Sequence, residues 1–310
     1  MDGIINVLKP PGLSSHQVVN VIRKLVSMKR VGHTGTLDPG AAGVLPICVG
    51  KGTRIVPFLI DQDKHYIAEM TLGLSTTTQD ASGETIDLDT DLQITPEQLA
   101  LTLHTFLGEV EQLPPMTSAI RIKGQRLYEL ARQGKEIQRD TRKITIKELH
   151  INKIWNEQPD LTFGSRVLLD IMCSKGTYIR TLCHDIGIAL STVAHMSFLC
   201  RIQSGIFKIE DSYTLEEIEE KVQNRDLSFV QPIESALPQW PKVIVSPLSE
   251  HRILHGNFIL PQDLLDVPRQ LVLGDQVLLF NVEGTLLALA ELVMKEQLIC
   301  QPTRVLKEGE

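Results

Sequence analysis

The sequence predicts a mixed α+β fold with a small β-rich module at its C-terminal end. Three observations carry this. Strand-like and helix-like segments are interspersed: the alternating run His65–Gly73 and the strand Arg166–Cys173 stand among capped, amphipathic stretches. Prolines at 232, 238, 241 and 247 mark a shift in composition. That shift places a boundary near Gln239 and divides the chain into residues 1–238 and 239–310. A length of 310 residues with 42% apolar content suits one large domain or two.

The elements follow in order. Gly3–Leu8 reads as a short buried strand. Ser14 and Gln17 form a capping box, and the helix after them sets Val18, Ile22, Leu25 and Val26 on one apolar face, closed by Lys29-Arg30. His65–Gly73 alternates so that Tyr66, Ala68, Met70 and Leu72 face the core. A loop rich in Thr, Ser, Asp and Gly then runs to about Asp91. Pro96–Leu107 is helical, with Leu99, Leu103 and Phe106 on one side. Arg166–Cys173 is a strand with Val167, Leu169, Ile171 and Cys173 on one face. It turns through Ser174-Lys175-Gly176 into a helix that Thr177 caps, which puts Tyr178 and Arg180 at the helix start. Gln203–Ile209 reads as a strand, and Thr214 caps a helix through Val222. Beyond the boundary, Gln270–Leu273, Gln276–Phe280 and Leu286–Leu292 are β-like.

Composition narrows the function. No run of 18 apolar residues exists, so no membrane span is expected, and no basic region precedes an apolar stretch as in a signal peptide. Five scattered cysteines without a CxxC pair point to reduced thiols in a cytoplasmic protein, and no His/Cys/Asp cluster has the spacing of a metal site. A net charge of −7 argues against nucleic acid, but its distribution is uneven. Residues 121–143 carry eight Lys and Arg against three Asp and Glu, a local +5. A solvated loop and an RNA-contacting stretch are both compatible with that.

The segment Gly32-His33-Thr34-Gly35-Thr36-Leu37-Asp38-Pro39-Gly40-Ala41-Ala42-Gly43 is the most specific feature. Its glycines permit φ > 0 and close approach of another group, and Pro39 pushes Asp38 out of the helical region. The result is a tight loop that aims one carboxylate. It is either a structural turn capped by Asp38 or a catalytic loop. The spacing fits neither G-x-x-x-x-G-K-[ST] nor G-x-G-x-x-G, which sets nucleotide binding aside.

The succession Lys9-Pro10-Pro11-Gly12-Leu13-Ser14-Ser15, the Asp38 loop, Val44–Gly50, Tyr66, Leu113–Ala119, Tyr128–Gly134, Cys173–Arg180 and Leu199-Cys200-Arg201 resembles the tRNA pseudouridine synthases of the TruB type. The resemblance covers residues 3 to 235. It implies isomerisation of uridine 55 in the T loop of tRNA, on a mixed, mainly antiparallel sheet with flanking helices and a PUA-like RNA-binding domain at 239–310. It implies a basic insertion, about 114–143, that closes over the RNA and marks the stand-alone branch. The partner is then the T-arm of tRNA, engaged by a monomer without guide RNA, membrane or cofactor.

By the same resemblance Asp38, Tyr66 and Arg180 are catalytic. Asp38 attacks covalently or stabilises charge at C1′, and attack at C1′, attack at C6 and proton abstraction from the sugar all stay open. Arg180 offers a fork to hold the carboxylate. Tyr66 stacks on the flipped uracil, with its hydroxyl placed for the C5 proton. Tyr178 and Leu199 wall the pocket, and His33 takes the place of the extruded base. Lys9 and Arg54 are basic positions near the pocket, serving phosphate contact or scaffold pairing. Arg126 and Lys135 supply phosphate contacts. The alternatives are a catalytically idle tRNA-binding or folding chaperone on the same fold, a guide-directed synthase, or a phosphate-binding enzyme.

Overall fold

The computed structural model describes the chain except residues 119, 123, 132, 136, 157, 268–270 and 308–310, and leaves the side chains of Arg121, Ile122, Arg126 and Tyr128 undescribed. Among the described residues a ten-stranded mixed sheet forms the body of the molecule. Its order is Val230–Gln231, Gly3–Lys9, Ala42–Val49, Ala194–Ser204, Lys64–Leu72, Arg166–Cys173, Arg142–Trp155, Gly108–Gln112. Two short strands attach to it, Val31–His33 on Ala42–Val49 and Phe207–Lys208 on Ala194–Ser204. Its ladders are antiparallel except one. Ala42–Val49 meets Ala194–Ser204 in parallel, through Cys200 opposite Ala42 and Arg201 opposite Gly43. The helices Ser15–Leu25, Pro96–His104, Ile179–Ala189 and Leu215–Gln223 contribute to the apolar core on one face.

Local sequence explains most elements. Three helices begin with capping boxes, Ser14 with Gln17, Thr95 with Gln98 and Thr214 with Glu217. Each satisfies two backbone donors that a helix start leaves free. The strand Lys64–Leu72 buries every second residue, Tyr66, Ala68, Met70 and Leu72 among them. No helix among the described residues is long and apolar enough to cross a membrane.

Five expectations are corrected. The first helix ends at Leu25, with Arg23 and Lys24 in its last turn; Lys29-Arg30 lie past a left-handed turn at Ser27, φ 52°. Tyr178, not Thr177, is the cap position of Ile179–Ala189. Thr177 instead donates its hydroxyl to Ser174 O at 3.0 Å, and Gln112 satisfies the helix start by accepting from Tyr178 N at 2.8 Å. The strand expected at 203–209 is two strands, Ala194–Ser204 and Phe207–Lys208, split by a turn at Gly205, φ +58°. The loop up to Asp91 contains a two-stranded ladder, Leu74–Thr76 with Thr85–Leu88. Residues 271–273 are not a strand, and Gln270 lies outside the described residues; Leu264–Asp266 forms the sheet edge instead.

A five-stranded sheet follows, in the order Leu264–Asp266, Lys242–Val245, Gln276–Phe280, Leu286–Met294, Leu298–Val305. It does not hang free. Ile4, Val44 and Cys48, on the back of the large sheet, share one buried core with Leu278, Leu289 and Leu306. Phe58 and Trp240 meet edge to face at 4.9 Å on the same side. All five cysteines are free thiols.

Candidate active site

Asp38 sits in the loop between Val31–His33 and Ala42–Val49, at the parallel junction of the sheet. The loop is tied down from three sides. Lys9, 0% exposed, donates to the carbonyls of Ala41 (2.6 Å), Pro10 (3.0 Å) and Pro39 (3.2 Å). Ser15 donates its hydroxyl to Leu37 O at 2.9 Å and accepts from Leu37 N at 2.8 Å. Gly12 N donates to Pro39 O at 2.8 Å. Gly43 closes the loop at φ +112°, where a Cβ would stand 2.2 Å from Arg201 O, so only glycine fits. This is a preformed loop holding a carboxylate whose side chain keeps 35% of its surface open.

Arg180, buried at the start of Ile179–Ala189, faces Asp38. Its Nη2 lies 3.6 Å from Asp38 Oδ2, and its Nη1 lies 3.6 Å from Asp80 Oδ2. The expected fork is therefore divided between two carboxylates, and neither contact is as short as a charge-assisted hydrogen bond. Burial pushes the Asp38 carboxyl above the usual range against the pull of Arg180; the nearby Asp80 charge adds to the rise and Lys9 opposes it. Asp80 goes the other way. Burial raises it, but Asp80 Oδ1 accepts from Ser82 Oγ (2.5 Å), Thr78 Oγ1 (2.7 Å) and Ser82 N (2.9 Å), and with Arg180 these hold it below the usual range. Two carboxylates on one guanidinium are thus pushed apart in acidity.

Tyr66, 8% exposed, lies on the core face of Lys64–Leu72 and directly opposite Arg201. Burial pushes its hydroxyl above the usual tyrosine range, while a hydrogen bond and charge from Arg201 pull it down. Leu199 is buried two residues before Arg201 on the same strand. Tyr178 is half-buried, with the Arg180 guanidinium 5.8 Å from its ring centre. Burial raises its hydroxyl too, and a hydrogen bond with Ser118 lowers it. His33 is half-buried, and its Nδ1 accepts from Gly35 N at 3.3 Å. Burial, with Arg201 and His16 adding, holds His33 below the usual imidazole range, in its neutral form.

The structure thus gathers Asp38, Arg180, Tyr66, Tyr178, Leu199 and His33 around the parallel junction, and it redirects two basic positions. Lys9 has every donor on a carbonyl and none toward solvent, and burial holds its amine down to about 8, so it is a clamp on the loop and not a phosphate contact. Arg54 donates to Val305 O of the second sheet, so it joins the two sheets away from the pocket. Lys135 is exposed, and the side chain of Arg126 lies outside the described residues.

Two site residues escaped the sequence reading. Asp80 lies in the loop rich in Thr, Ser, Asp and Gly, where the Thr78 and Ser82 that hold its carboxylate read as ordinary turn residues. Arg201 stands two residues after Leu199 on a strand, a spacing that puts a cation on the buried face. Among the described residues no three His, Cys, Asp or Glu side chains gather as a metal site. What the arrangement offers is one carboxylate of raised pKa, a guanidinium, a buried phenol and apolar walls.

Comparison with known proteins identifies the family. The profile described as TruB family pseudouridylate synthase (N terminal domain) matches residues 23–179, and that described as tRNA pseudouridylate synthase B C-terminal domain matches residues 180–238. Proteins named tRNA pseudouridine synthase B are similar along most of the chain. That of Alkaliphilus oremlandii is 46% identical over 266 residues, covering 86% of this chain and 85% of its own. That of Pelotomaculum thermopropionicum is 43% identical over 313 residues, covering 99% and 97%. Among solved structures, a chain of an H/ACA ribonucleoprotein bound to a substrate RNA containing 2′-deoxyuridine superposes with a TM-score of 0.73 at 26% identity, covering 98% of this chain and 85% of that one.

Proposed function

The chain belongs to the TruB family of pseudouridylate synthases, and from that premise we propose that it converts uridine to pseudouridine at position 55 in the T loop of tRNA, with Asp38 as the nucleophile. The observation that carries this reading is the carboxylate on a preformed loop, faced by Arg180 at 3.6 Å, with a buried phenol alongside. The names of its relatives support tRNA as the substrate.

The reaction breaks the C1′–N1 bond and joins C1′ to C5. No atom is oxidised and no water is added, so the reading requires no redox cofactor. The target base must first leave the loop; His33, neutral and beside the pocket, suits the space it vacates. Asp38 then attacks the sugar or the base. Arg180 steadies its ionised form, and Tyr66 stacks on the freed uracil while it turns. Tyr178 and Leu199 keep water from a glycosyl intermediate. The C5 proton leaves toward the Tyr66 hydroxyl. Residues 114–143, with Arg126 and exposed Lys135, contact phosphates of the T-arm, and residues 239–310 form a PUA-like RNA-binding domain. In this reading the protein works as a cytoplasmic monomer without a guide RNA.

The test is direct. Unmodified tRNA transcript is incubated with the protein, and pseudouridine is mapped by chemical probing. Conversion at position 55 alone supports the reading. Tight tRNA binding with no conversion would make the protein a chaperone on the same fold.

A further inference from the structure

Arg201 is a deeply buried guanidinium beside the pocket, without a carboxylate partner among the described residues. It is 1% exposed, and among the described residues no carboxylate lies within ion-pairing distance of it. Its Nε donates to Val44 O at 2.7 Å and its Nη2 to Gly35 O at 3.3 Å. The remaining contact is the Tyr66 hydroxyl, on the residue directly opposite in the ladder. A guanidinium out of water is costly when only carbonyl dipoles and a phenol surround it. Such a charge is compensated if negative charge arrives during the reaction.

Resting on the isomerase reading above, we propose that Arg201 is a positioning residue that acts through Tyr66. It holds the phenol hydroxyl toward the flipped ring and offsets the negative charge the ring gains. Each chemical route left open produces that charge. When Asp38 attacks C1′, or when the sugar loses a proton, the C1′–N1 bond breaks with both electrons going to the ring, and uracil leaves as an anion. When Asp38 attacks C6, the electron pair moves onto the ring oxygen. In all three, Arg201 donates to Tyr66 Oη and Tyr66 Oη–H donates to the ring, so two aligned hydrogen bonds carry the positive field to the base. The ring pair at C5 then forms the C1′–C5 bond as Asp38 is released with its bonding pair or returns the sugar proton, and the C5 proton is removed through Tyr66 Oη and regained at N1. No oxidant or further reactant is needed.

The surroundings fit this role. The groups that act electrostatically on Tyr66 besides Arg201 are Cys173 and Asp38. Arg201 also acts on Lys9, Lys64 and His33. Lys9 and Lys64 are spent on backbone carbonyls, which leaves Arg201 as the cation in contact with the phenol. Because Gly35 belongs to the Asp38 loop, one guanidinium also fixes that loop against the Tyr66 strand.

The chain has four tyrosines, so labelling tyrosine with ¹³C at Cζ gives few signals, and Tyr66→Phe assigns the one that matters. Arg201→Lys keeps the charge and volume needed for folding but not the planar fork. It should move the Tyr66 signal while those of Tyr178 and Tyr213 stay in place. It should slow single-turnover conversion about tenfold with the tRNA Kd within about threefold, and in the Tyr66→Phe background it should cost less than about twofold. An unmoved Tyr66 signal, or equal slowing in both backgrounds, overturns the proposal. A wild-type protein that converts no tRNA would fail the isomerase reading instead, and the carbon signal would still report the contact.

Discussion

Asp38 is drawn in two directions by its neighbours, and single substitutions should separate them. Burial raises its pKa and Arg180 lowers it, while Asp80 adds repulsion. If the ionised carboxylate reacts, the rate falls as pH drops through that pKa. Arg180→Met removes the attraction, so the acid limb of the pH–rate profile should move up and single-turnover conversion should fall at least roughly tenfold. Asp80→Asn removes the repulsion, so the acid limb should move down. Limbs that shift in the same direction would show that Arg180 does not arbitrate between the two acids. Asp38→Asn should leave less than about a hundredth of the rate, with tRNA affinity within a few-fold. Its stability carries a further sign. An acid whose folded pKa lies above its unfolded one costs stability at pH above the unfolded value, and that cost fades as pH falls. The Asn variant should therefore melt higher than wild type at pH 8, and the gap should close toward pH 4. At this scale the sequence revealed Asp38, whose glycines and proline are contiguous with it. It concealed Asp80, whose role depends on a helix far along the chain, shown by Thr181 donating to Gln79 Oε1 at 2.8 Å.

The strands and helices differ in how openly they declare themselves, for a physical reason. Capped helices announce themselves within four residues, as Ser14–Gln17 and Thr214–Glu217 do. Lys64–Leu72 alternates without interruption and is equally plain. Ala194–Ser204 is not, because its register against Lys64–Leu72 slips between Met196 and Phe198 and again between Arg201 and Gln203. Each slip reverses which face a residue takes, and the period of two disappears. The hidden strand carries Leu199 and Arg201, so that side of the candidate site is harder to read than the Asp38 loop. Its junction with Ala42–Val49 depends on Gly43. A Cβ there meets the Arg201 backbone, and the left-handed φ of +112° adds strain. Gly43→Ala should cost at least about 3 kcal/mol in urea unfolding and reduce conversion in the remaining folded protein. A cost under about 1 kcal/mol would mean the junction opens to admit the methyl group.

On the whole-molecule scale, a chain of net charge −7 can meet a polyanion only where its cations collect. Lys135 stands exposed in the stretch of +5. Lys135→Ala should flatten the log–log salt dependence of tRNA binding by about one unit, and an unchanged slope would place it away from phosphate. The two sheets share a core, with Val44 and Cys48 of Ala42–Val49 packed among Leu278, Leu289 and Leu306. Thermal unfolding followed by near- and far-ultraviolet dichroism should therefore show one coincident transition; two would mean the second sheet melts by itself. The parallel junction also has a consequence in time. Arg201 reaches Val44 across 157 positions of sequence, where Lys9 reaches Ala41 across 32. During synthesis the first strands, the loop and Tyr66 emerge long before their counterpart. A nascent chain that has not yet released Ala194–Ser204 holds the Asp38 carboxylate over an unfilled seam, and contacts of such long range are the slowest to close. Competence arrives in a single late event, and a truncated translation product ending before that strand should be chemically silent toward RNA.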